Sequence, residues 1–321
     1  MKLRGKSPAP SWPSEITSNT LAITRRLTDG PPVVPPVQRK PLWLYPNLLS
    51  LDAPLVAVAW LYIFSKTWRV DYHPWEAYVT LGLTVWGVYV VDRLLDASLS
   101  GATGGRLQAR HAFHRRHRTL FIAGCGIAFF TAAVLVVAYM SLSIYAYLLL
   151  GLVIVAGFFG LSMLSSQEAA EVPHTKNILA GMGFAFGTAM MAHVYLPELG
   201  VYKMLGSREF VCFAFLCILN ISAIDLWEHA AGSIDLEMSA TAELMLTIPL
   251  TLLGIVCLYY AVMDHQMATR PFFYAVLTGA ALLQILNRIR GRFSMDALRV
   301  LADVALLLPV LVYLAAMHDA G

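Results

Sequence analysis

From Leu48 onward the chain is written as apolar runs of about twenty residues, most of them closed by charge. That length carries an α-helix across the ~30 Å hydrocarbon core of a bilayer, with every backbone hydrogen bond made inside the segment. Nine such runs are read: 48–65, 76–97, 119–139, 142–164, 177–197, 209–230, 243–263, 271–290 and 299–317. The first is the weakest, because Asp52 and Pro54 stand near its start. Residues 140–142 leave so short a turn that the third and fourth runs are expected to form an antiparallel hairpin. Composition agrees with a membrane protein: 58% of the 321 residues are hydrophobic and 13% charged. That charge is too little to clothe a globular exterior. The expected fold is all-α and polytopic, over residues 45–321. Residues 1–44 differ, being rich in Pro, Ser and Thr with "PPVVPP" at 31–36, and read as a flexible or polyproline-type tail. Lys2, Arg4 and Lys6 are not followed by an apolar stretch, so the start is not read as a cleavable signal.

Lys and Arg set the expected orientation. With the N-terminus inside, seven fall in the tail, six around the second-to-third connection, one at Lys176 and four around the eighth-to-ninth connection. The eighteen inside compare with five outside, which places the N-terminus in the cytoplasm and, after nine spans, the C-terminus on the opposite side. The net charge of +3 gives no reason to expect a nucleic-acid partner. Cys125, Cys212, Cys217 and Cys257 all lie in apolar segments without metal-ligand spacing, and read as small core residues.

One cytoplasmic connection runs against the positive-inside pattern. "NISAIDLWEHAAGSIDLEMSATAE" carries Asp225, Glu228, Asp235, Glu237 and Glu243 with no Lys or Arg. Acidic groups crowded at a membrane surface repel one another unless something cationic answers them. The plain reading is a solvated loop; the sharper one is a cation site or a cationic lid. The second and sixth runs share a spacing: fifteen residues separate Glu76 from Asp92, and fifteen separate Glu209 from Asp225. Both aspartates therefore sit at one depth, near the cytoplasmic mouth. Asp92 and Asp96 are i,i+4 neighbours, as are Asp225 and His229, with Glu228 between them on the same helix. Two such patches facing each other across a bundle suit Mg²⁺, a hard cation that keeps water and substrate phosphates as ligands. "RHAFHRRHR" puts Arg110, Arg115, Arg116 and Arg118 beside the second run, where they either meet phosphate oxygens or anchor to anionic lipid. His111, His114 and His117, three apart in that segment, read as surface charge rather than a metal cluster.

These residues resemble the UbiA superfamily of intramembrane prenyltransferases, over about residues 45–317. That family has nine transmembrane helices around a central cavity, an NxxxDxxxD motif ending the second helix and a DxxxD motif ending the sixth. Asp92 and Asp96 match the first pair of aspartates, with Val88 in the Asn position; Asp225 matches the second motif's first aspartate, with His229 in place of its partner. Lys176 in "PHTKNILAG" resembles the family's diphosphate-contacting base. The resemblance implies transfer of a prenyl group from a prenyl diphosphate to an aromatic or lipid acceptor, assisted by Mg²⁺. It implies Asp92, Asp96, Asp225 and Lys176 as catalytic residues, and Asp92, Asp96, Asp225 and Asp235 as metal ligands. Arg93, Arg110, Arg115, Arg116, Glu228 and His229 would bind substrate, and Trp86, Tyr89 and Trp227 either line the prenyl cavity or simply pack. The changed Asn and Asp positions equally suit a non-catalytic, lipid-binding or assembly subunit of a larger membrane complex. A haem or quinone protein is disfavoured, since His193 alone lies well inside an apolar run. A transporter lacks its expected pair of broken helices.

Overall fold

Asp52 and Pro54 mark where the first long helix begins. A proline fits a helix's first turn, where its missing N–H is not needed, and an acid there favours the helix dipole. In the computed structural model, which describes residues 41–102, 109–165, 172–196, 200–232, 236–264 and 269–318, a turn at Leu42–Leu44 leads into α1 (Tyr45–Leu48) and then α2 (Asp52–Thr67). The two segments meet at a 78° bend, and Ser50 at that bend has a left-handed φ of 59°. The expected run 48–65 is thus corrected: the continuous helix starts at Asp52, and what precedes it turns away.

The remaining helices are α3 (Trp75–Ala102), α4 (Ala109–Arg116), α5 (Arg118–Tyr139), α6 (Ile144–Ser165) and α7 (Val172–His193), then the short α8 (Val201–Leu205). After these come α9 (Arg208–Gly232), α10 (Leu236–Met263), α11 (Arg270–Ile289), α12 (Met295–Leu307) and α13 (Pro309–His318). No strand occurs among the described residues. Among the described residues, seven helical segments are long and apolar enough to cross a membrane, eight if the bent α1–α2 pair counts as one. Broad apolar surfaces face outward, as lipid contact requires: Leu120, Phe130, Val137, Leu149, Leu252 and Leu311 are all exposed.

The helix read at 177–197 runs instead from Val172 to His193. Its Gly and Ala content, with Lys176, Asn177 and His193, keeps it out of that set, yet Ala185, Phe186, Ala189, Met190 and Met191 are buried. Small side chains let it press against α9: a Cβ at Gly181 would lie 2.6 Å from the Cα of Ile218. Helix pairs in membranes approach this closely only over small residues. The expected α5–α6 hairpin is also corrected. The turn at 140–143 is short, but α5 packs along α3 and α6 along α7. α5 presents Phe121, Cys125, Ala128, Ala132 and Val136, a buried stripe at helical spacing, to that neighbour.

An aromatic cluster fixes the centre. Trp60 of α2 stacks on Phe213 of α9 with ring centroids 4.4 Å apart, and both Trp60 and Phe64 reach Phe272 of α11. The Trp60 indole donates to the Leu306 carbonyl at 2.8 Å, one turn before Pro309 interrupts the last span. With α2, α9, α11 and α12 joined there, the polar ends of the helices are held in register.

Candidate functional site

The C-terminal ends of α3 and α9 and the N-terminal ends of α7 and α12 converge, and the ionisable residues singled out in the sequence gather at this end. Lys176 of α7 places its Nζ 3.7 Å from Asp92 and 3.8 Å from Asp96. The two carboxylates, one helical turn apart, therefore converge on one positive charge. All three side chains are a quarter to a third exposed, so they stay in contact with water. The ammonium also lies 5.3 Å from the Phe158 ring centroid on α6. The next residue, Asn177, donates to Asp225 of α9 at 2.9 Å. Two consecutive residues of α7 thus touch both acidic patches. His229 folds back on its own helix, its Nδ1 2.8 Å from the Asp225 carbonyl and 3.3 Å from the Asp225 carboxylate.

The acidic connection finds its cations far along the chain. Glu228 accepts from Arg299 Nε and Nη2 at 2.8 and 2.6 Å, and Arg299 also reaches Asp296 at 2.9 Å. Glu243 takes Arg290 at 3.2 Å. Basic residues counted for orientation at the α11–α12 connection thus pair with two acids of the α9–α10 connection, Glu228 and Glu243. Glu228, expected to bind substrate, is engaged with buried Arg299 instead. Asp235 lies outside the described residues.

Arg93 is buried and donates to the Asn47 carbonyl; Asn47 in turn donates to Asp52 at 2.5 Å. It does not face lipid. Arg110, Arg115 and Arg116 fall on α4, which packs on α1 and α3, and the last two are exposed. His114 departs from its reading as surface charge. It is fully buried, stacked on Phe121 at 4.1 Å and 3.3 Å from the Ser50 hydroxyl. The imidazole there pins the basic segment to the α1–α2 bend. Of the three aromatics, Tyr89 lines a small cavity. Trp86 donates to the Leu49 carbonyl and Trp227 to Asn287, both as struts between helices.

The donors at the site are hard oxygens, which suit Mg²⁺. Among the described residues no three carboxylate, imidazole or thiol groups come together as a metal site. The convergent pair is Asp92 and Asp96, with the Lys176 ammonium standing where a cation would. A pair is the number of carboxylates Mg²⁺ uses when phosphate and water complete its octahedron. The residues present fit the ion in that mode. The sequence did not reveal Asn177, whose signal was its place beside Lys176, or the Arg299–Glu228 pair. Comparison with family models, with curated proteins and with solved structures finds no match.

Proposed function

We propose that this end of the bundle handles the diphosphate of a prenyl donor, as the UbiA-like motifs imply. The observation that carries the reading is the reach of Lys176 and Asn177 to carboxylates on both α3 and α9. On this reading α7 is the ninth crossing helix, the N-terminus is cytoplasmic and the C-terminus lies opposite. Asp92 and Asp96 would hold Mg²⁺, which when bound would supply positive charge to offset that of the departing diphosphate. Lys176 moves from the carboxylates to a phosphate oxygen and adds a second positive charge. Asn177 fixes the Asp225 carboxylate, and Arg115 and Arg116 draw the anionic headgroup toward the mouth. The donor's allylic C–O bond breaks with its electron pair leaving on diphosphate, an electron pair of a hydrophobic acceptor forms the new bond, and the proton the acceptor then loses passes to the departed diphosphate or to water.

The assay is diphosphate release by purified protein with Mg²⁺, prenyl diphosphates of several lengths and a panel of acceptors. Asp92→Ala is expected to cut turnover at least about a hundredfold while the thermal midpoint holds. One observation favours a second reading, a non-catalytic lipid-binding or assembly subunit. Among the described residues, the cavity lined by α2, α3, α7, α9 and α12 holds about 20 Å³, room for about one or two waters and not for a prenyl chain. Absence of turnover with every donor, together with a co-purifying membrane partner, would establish that reading.

A further inference from the structure

That small cavity has chemistry of its own, and it stands whether or not the diphosphate reading survives. It is lined by Ala53, Val56, Tyr89, Phe184, Asn220 and Asp303, among others. Asp303 of α12 and Asn220 line this cavity together, and Asp52 and Asn220 both stand close enough to Asp303 to act on its carboxyl. Asp52 also accepts from Asn47 Nδ2 at 2.5 Å and from the Ala53 N–H at 3.1 Å. Arg93, one helical position past Asp92, lends its charge to Asp303. Were both carboxyls ionised, with one guanidinium they would leave one negative charge among the helices, a costly balance in a low-dielectric setting. Asn220 is only 6% exposed, and its Oδ1 has no hydrogen-bond partner.

The unmet groups are therefore acceptors, the deficit is one positive charge, and the space is the size of a water. A divalent ion would overshoot the charge. We propose that Asp52, Asp303 and Asn220 form a binding site for one small monovalent cation, a proton or a sodium ion. A proton would sit between the two carboxyls; sodium would take oxygen ligands from both and from Asn220 Oδ1. The other titratable groups facing the site are Tyr89 and Arg93 on α3 and Cys217 on α9. α7 contributes only the Phe184 ring to the lining.

The test uses the full-length protein purified in detergent. Its thermal midpoint is followed as Na⁺ replaces choline at constant ionic strength, with K⁺ as size control. Infrared difference spectra across pH, in choline, report protonated carboxyl groups. A saturable rise of the midpoint with Na⁺ but not K⁺, absent in Asp303→Asn, identifies sodium. No sodium response, with a carboxylic-acid band that disappears reversibly at raised pH and is lost in Asp303→Asn, identifies a proton. Asp303→Asn leaves Asp52 and Arg93 in charge balance and is expected to fold. Should it not, Asn220→Ala keeps the charges and removes the free acceptor, and the sodium response is expected to weaken about tenfold. A wild-type protein showing neither a sodium-specific response nor a titrating carboxylic-acid band overturns the proposal.

Discussion

Gly181 is where a single methyl group should separate the two halves of the candidate site. A Cβ built there lies 2.6 Å from the Ile218 Cα and 2.7 Å from its backbone N. Comfortable carbon contacts are about 3.5–4.0 Å, so Gly181→Ala must part α7 and α9 locally by about 1 Å. Backbone cannot rotate out of the way as a side chain can, which places the cost toward the upper part of the ~1–3 kcal/mol typical of overpacking. One turn earlier on the same helix, Asn177 bonds Asp225 at 2.9 Å, and an added ångström takes that bond past the ~3.2 Å limit of good geometry. The natural control is Gly187, whose added Cβ meets no atom within 4 Å. Gly187→Ala should be neutral, or more stable by up to ~1 kcal/mol from helix propensity. Thermal unfolding in detergent should show Gly181→Ala several degrees below wild type and Gly187→Ala at or above it. A double-mutant cycle adds a site-specific readout: if Gly181→Ala already breaks the Asn177–Asp225 bond, then Asn177→Ala on that background costs less than it does alone. Equal midpoints for the two alanine variants, or an additive cycle, would refute the close-approach argument.

Three other outcomes are expected. Arg299→Ala leaves Glu228 and Asp296 without their buried guanidinium; because Glu228 is partly exposed, the loss should fall at or below the lower end of the ~3–5 kcal/mol of a broken buried pair, read from denaturant or thermal unfolding. His73, in the α2–α3 connection, is held below its ordinary pKa mainly by burial, partly offset by its 2.9 Å bond to the Met191 carbonyl. The neutral ring is thus the folded form, so its contribution is complete above the unfolded value of about 6.5 and is lost as pH falls below it; comparing midpoints between about pH 5 and 8, His73→Gln should lose part of the acid-side decline. His229→Asp sets a carboxylate one turn after Asp225; if Asp225 also holds Mg²⁺, as the motif resemblance implies, binding should tighten several-fold by titration, and unchanged affinity would leave Asp92 and Asp96 as the ion's carboxylates.

What the sequence made legible, and what it did not, divides along physical lines. Crossing a bilayer imposes a length and an apolar content on each helix separately, so α3, α5, α6, α9, α10 and α11 stand out as local runs. The fifteen-residue spacing that marks Asp92 and Asp225 is also a property of single helices. Packing partners are not. α5 and α6 are joined by a short turn, yet each packs on another helix, because the choice rests on which face offers matching small and large side chains. Gly181 shows this most plainly, since its value lies in the backbone of Ile218.

Charge follows the same division, with a sharper consequence. The acidic connection after α9 read as short of cations because Arg299 and Arg290 come from α12 and the end of α11, more than forty residues on. The cluster around Asp52 was hidden more deeply. Asp52 weighed against its span, and Asp303, inside the last apolar run at 299–317, was not singled out. An ionisable residue inside a span is costly enough to require a partner, and that rule, applied to Asp303, is the signal that would have found it. The structure supplies the partner 251 positions earlier. That partner is another acid, so the pairing removes no charge; it concentrates it. Arg93 offsets only one of the two, so with both ionised a negative charge would remain beside a free amide oxygen and a water-sized space, and the described residues supply no second cation there.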